Sequence, residues 1–472
     1  MKILVVYYLV RRTDRNTIDE HLYSFARYSG QECWYLNAFF GVPSYITRIP
    51  FDLVVYHYTF TGLKWNGAEH FEADLKRLAA LKGLSGYKVA VPQDEYVNTV
   101  AMCRFFRDFG IRTVFTCFPP SEYQKAYPRE LSGLEHYVTV LTGYIDETSL
   151  AEVSSFCRPH RERTRDVGYR ARKVPFWLGR HGLIKWRLTE VFQEAAGCTG
   201  IRADLSNDDR DVFIGKEWYR FLADCRVVLG CEGGASLLDP VGEIRRKVED
   251  YVAAHPEAPF DEVEKRCFEG LDGNLELFAL SPRHFEACIT RTCQALVEGE
   301  YAGIFTPGVH YIEIRKDWSN VDEVVEKIRD ADYCQNMAER AYEDIIRPGR
   351  CTYRAFVREV LEHVRGVCPD VSAQALRKTS PREHAYLLLL RLREAAPFLF
   401  SPLYFLLNVL YKTRLYTASR TALFSVLERC GLVEDYKEMR RRNLGITLAF
   451  AVKLARAVLE RPGTDGKKRD GR

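Results

Sequence analysis

The chain has 472 residues, 47% of them hydrophobic and 28% charged, which is the composition of a folded protein with more than one domain. Its net charge of +4 is small for this length and argues against a general nucleic-acid binder. The 14 cysteines include no Cys-x-x-Cys pair and no histidine pair lies at zinc spacing, so we expect reduced thiols, no metal site, no disulfide framework and a cytoplasmic location.

The first third of the chain alternates short apolar runs with polar segments of helix length. This alternation predicts a parallel sheet with crossover helices. One such helix is predicted over residues 70–81, where Phe71, Leu75 and Leu78 recur at helical spacing. The six predicted strands cover residues 3–9, 33–36, 52–58, 88–92, 113–118 and 137–141.

A charged stretch at residues 158–166 interrupts this pattern and predicts a domain boundary. The alternation then restarts, with helices expected at residues 183–196 and 321–329. Two such units predict two Rossmann-like, doubly wound domains that face a cleft, with ligands bound beyond the carboxyl ends of the strands. The strands of the second unit are expected at residues 167–169, 226–230, 294–297 and 311–314.

From about Val371 onward the strand signals end and a C-terminal α-helical extension is predicted. The run AAPFLFSPLYFLLNVLY at residues 395–411 has no charge, contains two prolines and is too short for a spanning helix. Two interpretations stay open, a helix packed on the protein or peripheral contact with an anionic membrane surface. The predicted domains are 1–160, 161–365 and 366–460, followed by a disordered tail at 461–472.

Two common nucleotide-binding signatures do not occur in the sequence. The first predicted strand leads into RRTD at residues 11–14 and not into a Gly-x-Gly-x-x-Gly loop. The Gly- and Lys-containing loop of P-loop enzymes does not occur either. These observations disfavour a dinucleotide-dependent oxidoreductase and a P-loop enzyme.

The segment SPRHFE at residues 281–286 predicts the start of a helix. Ser281 suits the N-cap and Pro282 the first helical position. The free N–H groups of the first turn, together with Arg283, favour an anion such as a pyrophosphate. Glu286 lies three residues further on the same face, where a carboxylate can accept hydrogen bonds from sugar or ribose hydroxyls. A plain capped helix is the alternative.

The longer segment SPRHFEACITRTCQALVEG resembles the donor-binding stretch of retaining-type GT-B glycosyltransferases, in particular the spore-maturation branch with its Ser-Pro-Arg-x-Phe-Glu-Ala pattern. The resemblance covers residues 167–357 well and the first half of the chain more loosely. It implies that Glu286 binds the ribose hydroxyls of a nucleotide-sugar and that Arg283 lies near the diphosphate. One departure is Cys293-Gln294-Ala295, where the family has Gly-x-Pro.

A glycine-rich loop, CEGGAS, occupies residues 231–236 after a predicted strand. Gly233 and Gly234 would let the backbone approach a ligand closely. The family has a partner glutamate for the donor sugar shortly before the ribose-binding one, but Phe278 lies in that region here. Glu232 is the substitute candidate, with residues 241–280 as an insertion, and a plain turn is the alternative.

Basic residues gather in RARKVPFWLGRHGLIKWR, where the second domain opens. The resemblance implies that an arginine and a lysine here neutralise the leaving diphosphate, which is the charge stabilisation that sugar transfer most needs. A solvated basic face is the alternative. The candidates are Arg172, Arg180 and Lys185.

Two strand ends of the first domain carry polar residues. His57 lies near the end of the third predicted strand, and QDEY at residues 93–96 follows the fourth. Both are expected to project into the cleft, where the resemblance places the acceptor. Asp94, Glu95 or His57 is then the candidate general base of an inverting enzyme, whereas a retaining enzyme can do without one. For His57 alone, a histidine whose hydrogen bonds are satisfied within the fold is the favoured alternative.

These features predict a hexosyltransferase-type enzyme of polysaccharide biosynthesis. It would move a sugar from a nucleoside-diphosphate sugar to a glycan or lipid-linked acceptor, with no cofactor and no nucleic-acid partner. The expected location is cytoplasmic, at the inner face of the membrane where residues 395–411 make contact. Two alternatives stay open, a nucleotide-sugar epimerase of the same architecture and a non-catalytic scaffold, which the broken glutamate spacing would favour.

Overall fold

The computed structural model describes residues 1–10, 16–369, 371 and 379–395. Within them the chain forms two parallel sheets with interleaved helices, which confirms the predicted pair of Rossmann-like domains. No helix in these ranges is long and apolar enough to cross a membrane. The predicted run at 395–411 lies outside the described residues from position 396 onward, as do the predicted tail and most of the predicted extension.

The first domain contains a six-stranded parallel sheet in the order β2-β1-β3-β4-β5-β6. All residues of β1 are buried, because its alternate side chains enter two different cores, Leu4 and Val6 on one face and Ile3 and Val5 on the other. The strands are β1 Lys2–Tyr7, β2 Glu32–Asn37, β3 Leu53–His57, β4 Tyr87–Val91, β5 Thr113–Thr116 and β6 His136–Thr139.

Helices connect these strands, and the predicted helix at residues 70–81 is present as α4 with a shorter C-terminal end. In α4, Phe71 and Leu75 are buried at the predicted helical spacing. The helices of this part are α1 Asn16–Leu22, α2 Ser24–Tyr28, α3 Tyr58–Thr61, α4 Ala68–Arg77, α5 Thr99–Phe109, α6 Tyr123–Ala126 and α7 Arg129–Ser132.

The second domain contains a five-stranded parallel sheet in the order β13-β12-β9-β7-β8, and β10 pairs with β11 in an antiparallel ribbon. Four of these strands were predicted. The other three, β8, β10 and β11, are three or four residues long and have partly exposed or glycine-rich sequences. The strands are β7 Arg165–Arg170, β8 Ala203–Ser206, β9 Cys225–Gly230, β10 Gly233–Ala235, β11 Leu277–Ala279, β12 Cys293–Val297 and β13 Ile312–Ile314.

The second half contains the two helices that the sequence predicted. The one expected at residues 183–196 is α9, which is longer, and the one expected at residues 321–329 is α14, which has these bounds. The helices of this part are α8 Leu150–Ser154, α9 Arg180–Thr199, α10 Lys216–Asp224, α11 Glu243–Ala254, α12 Phe260–Cys267, α13 Pro282–Ile289, α14 Val321–Arg329, α15 Ala331–Ala341, α16 Tyr353–Val367 and α17 Pro381–Ala395.

Helices α11 and α12 lie between β10 and β11, and α11 with the loop before it contacts the first domain. The backbone N–H of Asp239 donates to the carbonyl of Tyr96 at 2.8 Å, and the N–H of Asn98 donates to the carbonyl of Asp239 at 2.9 Å. Arg245 donates to the carbonyl of Trp65 at 3.0 Å, with its guanidinium against the Trp65 ring. The first part of the predicted insertion, together with the loop before it, therefore holds the two domains together.

Helix α16 returns from the second domain to the first. Its Tyr353, Phe356 and Val360 lie in the same core as Ile3 and Val5 of β1. The chain thus crosses between the domains twice, and α16, which the predicted division assigns to the second domain, packs on the first.

The last described helix, α17, packs on the first domain beside β2. Tyr386 stacks on Tyr45 with ring centroids 5.3 Å apart, and Arg393 donates to the carbonyl of Gly41 at 3.0 Å. The described part of the predicted extension is therefore helical and attached to the first domain.

A loop between the domains fixes the start of α13. The Gln93 side chain donates to the carbonyl of Thr142 at 2.6 Å, and the Thr142 hydroxyl donates to the carbonyl of Leu280 at 2.6 Å. Gly143 packs against the Pro282 ring, where a Cβ would collide with it. These contacts hold the first turn of α13 at the cleft between the domains.

Candidate functional site

A cavity of about 500 Å³ opens between the domains at the carboxyl ends of β7 and β9. This is the position at which parallel α/β sheets bind ligands. The first domain contributes Asp94 and Tyr96, and the second contributes the ends of both strands, α9, α10 and the start of α13. Of the predicted site residues, the cavity brings together Asp94, Arg172, Lys185, Gly233 and Arg283.

The charges around the cavity favour an anion. Arg172 forms an ion pair with Asp209 at 2.8 Å, but both side chains are more than half exposed, so this pair is weak and easily exchanged. Lys185 has no ion pair among the described residues and lies near Gly233. Arg283 donates to the carbonyl of Arg170 at the end of β7. Among the described residues that line the cavity, Asp94 alone carries a carboxylate.

The start of α13 adds a helix dipole to these cations. Ser281 occupies the predicted N-cap position, but its side chain makes no capping hydrogen bond. Ser281, Arg283 and His284 all line the cavity. The positive end of an eight-residue helix therefore faces the cavity beside two arginines and a lysine.

His284 is a lining residue that the sequence did not single out. Its Nδ1 lies 2.9 Å from Oε1 of Gln294, which can only accept, so Nδ1 carries the proton. Burial lowers the pKa of His284 to about 4 and keeps the ring neutral. Nε2 is buried, and the ring also lies next to the Cys231 backbone. Gln294, at the departure from the family pattern, thus fixes the orientation of the His284 ring beside the cavity.

Glu286 does not line this cavity. Its Oε2 accepts a hydrogen bond of 2.7 Å from the indole N–H of Trp218 on α10, another residue that the sequence did not identify. The Glu286 side chain borders a gap of about 20 Å³ that it shares with Glu20 and Asp146. Burial raises the pKa of Glu286, against the lowering effects of Trp218 and Arg283.

Three carboxyl groups meet in this gap, one from each domain and one from the connection between them. Burial raises the pKa of Glu20 to about 7, and the charges of Asp146 and Glu286 add to the shift. Arg27 pairs with Asp146 at 2.8 Å and offsets part of the charge. A cationic or hydroxyl-bearing group would therefore be favoured beside Glu286.

The predicted substitute Glu232 does not line the cavity. Its Oε1 accepts from the backbone N–H of Tyr301 at 2.7 Å, and its carboxylate packs against Gly299. Glu232 therefore holds the loop after β12, which corrects the predicted sugar contact. Gly234, at φ 100°, is also structural, since a Cβ there would collide with the Leu277 carbonyl in the β10–β11 ribbon.

Arg180 also differs from its predicted role. Its guanidinium donates to Asp261 at 3.0 Å and to Glu264 at 2.8 Å, and it lies over the Phe260 ring. All three partners belong to α12, so Arg180 attaches α12 to the start of α9 and does not reach the cavity. Arg180 is the first residue of α9, and from there its side chain extends toward α12, in the predicted insertion.

The QDEY segment divides its two carboxylates between the cavity and the core. Asp94 lines the cavity and has a left-handed backbone, φ 50°, which is uncommon for a residue with a side chain. Glu95 is buried instead, and accepts from Thr116 at 2.7 Å and from the Cys117 N–H at 2.8 Å. Burial raises its pKa to about 7. The prediction that Glu95 projects into the cleft is wrong, because the chain turns after β4 ends at Val91 and this turn carries Glu95 into the core.

His57 is buried in the first domain, so the prediction that it projects into the cleft is also wrong. Its Nδ1 accepts from the Thr59 N–H at 3.1 Å at the start of α3. Nε2–H then donates to Nδ1 of His21 at 2.9 Å. Burial lowers the pKa of both rings, that of His21 to about 3, and keeps the pair neutral.

The histidine pair predicts a dependence of stability on pH. A histidine whose pKa is lowered below 6.5 in the folded state stabilises the fold fully above that pH, and this contribution is lost as the pH falls toward 3. We expect His57→Asn, which keeps a side-chain cap for α3, to lower the free energy of unfolding at neutral pH by about 1–3 kcal/mol. This difference should shrink as the pH falls, by up to about 1.4 kcal/mol per pH unit.

Denaturant titrations of both proteins between neutral and acidic pH would measure this effect. His255→Asn is the matched control, since His255 is exposed on the surface after α11. A difference between wild type and His57→Asn that does not change with pH would contradict the prediction.

The described residues contain no group of three or more His, Cys, Asp or Glu side chains that could hold a metal ion. The cations around the cavity, Arg172, Lys185 and Arg283, are protein groups of the kind that can bind a diphosphate directly. That the protein needs neither a metal nor a cofactor stays a prediction from the sequence.

Comparison with models of protein families finds no match, and comparison with curated proteins finds none either. Among solved structures, an alpha-glucosyltransferase in complex with UDP-glucose and DNA containing an abasic site is 10% identical, with 77% of this chain and 98% of that chain covered and a TM-score of 0.46. HepE of Anabaena in complex with UDP-glucose is 11% identical, with 78% and 100% covered and a TM-score of 0.43.

A third structure, sucrose-phosphate synthase from Thermosynechococcus elongatus, is 9% identical, with 78% and 99% covered and a TM-score of 0.40. Glycosyltransferases are thus among the structural neighbours of this chain. At these identities and TM-scores the similarity does not establish a family or an activity. The spore-maturation branch and the expectation of no nucleic-acid partner stay predictions.

Proposed function

We propose that the protein is a glycosyltransferase that binds a nucleoside-diphosphate sugar in the 500 Å³ cavity between its domains. The observation that carries this proposal is the grouping of Lys185, Arg172 and Arg283 with the start of α13 at the carboxyl ends of β7 and β9. Cations, a helix dipole and a strand-end cavity together suit a diphosphate attached to organic groups on both sides.

The same groups suit the chemistry of sugar transfer. When the bond between the sugar and the diphosphate breaks, negative charge develops on the departing diphosphate. Lys185 and Arg283 can stabilise that charge without moving far, since both already line the cavity.

The acceptor would enter from the first domain, where Asp94 and Tyr96 form the opposite wall. Asp94 is the candidate general base if the transfer inverts the sugar, since its carboxylate is exposed to the cavity. With Glu95 and His57 buried, Asp94 is the candidate that remains of the three predicted ones. A glycan or lipid-linked acceptor and a role in polysaccharide biosynthesis belong to the proposal.

The experiment that tests the proposal is calorimetric titration with UDP, GDP, ADP, CDP and TDP. We expect one of them to bind, and the matching nucleotide-sugar to release its nucleotide when an acceptor is supplied. Binding of none would favour the scaffold alternative and overturn the proposal. A new sugar isomer formed without any acceptor would favour the epimerase alternative.

We also propose peripheral contact with an anionic membrane surface at the end of α17. Leu388, Leu389 and Leu392 are 56%, 45% and 50% exposed, and the charge-free run at residues 395–411 follows directly in the sequence. We expect the full chain to float with vesicles containing phosphatidylserine, and the variant with all three leucines changed to glutamine to float less. Equal flotation of the two proteins would contradict the contribution of α17.

A further inference from the structure

Trp218 lies between the candidate donor cavity and the residue expected to bind the donor ribose. Its ring lines the cavity, while Glu286 borders only the small gap behind it. The indole N–H donates to Oε2 of Glu286 at 2.7 Å. A ligand in the cavity therefore meets the Trp218 ring before it can reach the Glu286 carboxylate.

Arg283 contributes to the same closed arrangement. Its guanidinium lies over the Trp218 ring, 5.4 Å from the ring centre, and donates to the carbonyl of Arg170. Glu286 and Arg283, two of the residues predicted to hold the donor, thus have partners within the protein. Trp218 contacts both of them, through its N–H on Glu286 and through its face on Arg283.

The two carboxylate oxygens of Glu286 differ in their hydrogen bonds, and this difference bears on how a ribose could bind there. Two adjacent hydroxyls bind best to a carboxylate when each donates to a different oxygen. Among the described residues Oε1 of Glu286 has no hydrogen-bond partner, but Oε2 is held by Trp218. The Trp218 side chain lies between the cavity and this carboxylate, so a ribose that reaches both oxygens from the cavity must displace the indole.

We propose that Trp218 is a gate over Glu286, which opens when the two ribose hydroxyls of the donor replace the indole N–H on the carboxylate. This proposal rests on the proposed function of the same cavity. Trp218 is half-buried at the third residue of α10 and lines the cavity, which gives its side chain space to turn. The apparent Kd for the donor is then the Kd of the open state divided by the fraction of molecules that are open, so a mostly closed protein binds the donor more weakly.

The variant Trp218→Phe tests the gate, because phenylalanine keeps an aromatic ring at the wall and removes the N–H. We expect it to bind UDP, or the nucleotide that the calorimetric panel selects, about threefold to tenfold more tightly than wild type. The same nucleotide without its 2′ and 3′ hydroxyls should show no such gain, since it cannot replace the N–H on Glu286. Trp318→Phe, in the same domain and away from the cavity, is the matched control.

Tryptophan fluorescence gives a second measurement. Nucleotide binding should change the emission of wild type and of Trp318→Phe, and the change should be lost in Trp218→Phe. Equal or weaker nucleotide binding by Trp218→Phe, or an equal gain for the dideoxy nucleotide, would overturn the gate and leave the proposed function standing. Binding of no nucleotide by wild type or by any variant would overturn both.

Discussion

Replacing Glu286 with alanine is expected to weaken the binding of the selected nucleoside diphosphate by about 10- to 100-fold. The physical reason is that hydrogen bonds to a charged group contribute about 1.5–3 kcal/mol, and the variant loses the carboxylate that would accept from the ribose hydroxyls. The transfer rate at low donor concentration should fall by a similar factor, since the same contact is present in the transition state.

Calorimetry and donor turnover would measure these two effects. Glu323→Ala is the matched control, because Glu323 is an exposed glutamate on α14 of the same domain. A thermal unfolding scan separates lost binding from lost fold. If Glu286→Ala is folded and keeps both nucleotide binding and transfer at wild-type values, the assignment of Glu286 to the donor site is wrong.

Replacing Lys185 with alanine is expected to lower kcat by about 100- to 1,000-fold, with a much smaller rise in KM. Negative charge grows on the diphosphate as the sugar departs, so a cation beside it stabilises the transition state more than the bound donor. Lys185 suits this role because it lines the cavity and has no ion pair among the described residues. Arginine at this position should restore part of the rate.

Steady-state kinetics with varied donor concentration would separate the two constants. Lys327→Ala, an exposed lysine at the end of α14, is the control for the loss of one positive charge from the domain. An equal effect of both variants would mean that Lys185 acts only through the overall charge of the protein. A rise in KM with unchanged kcat would place Lys185 in ground-state binding.

Much of the fold could be predicted because parallel strands that are buried on both faces appear in the sequence as continuous apolar runs. β1 and β9 are of this kind, and their predicted positions agree with the structure to within two residues. β8 and β11 escaped prediction because they are short and have partly exposed residues. Their formation depends on pairing with distant segments, which local patterns do not reveal.

The site was predictable to a smaller degree, since a motif locates a residue along the chain but not the direction of its side chain. Asp94 and Glu95 are neighbours in the sequence, yet one faces the cavity and the other the core. Arg180 was expected near the diphosphate and binds α12 instead. The role of Trp218 could not be predicted from the sequence, because its contact with Glu286 joins two segments that are 68 residues apart.

The return of α16 to the first domain determines the order in which the protein can be completed during synthesis. Strands β1 to β6 leave the ribosome early, but the face of their sheet that holds Ile3, Val5 and Phe115 is covered by Phe356 and Val360, which are made more than 200 residues later. Leu22 and Phe25 cover part of that face early, but until α16 is made the rest is open to water and to other nascent chains, where it favours aggregation. The first domain to be synthesised is thus the last to be finished.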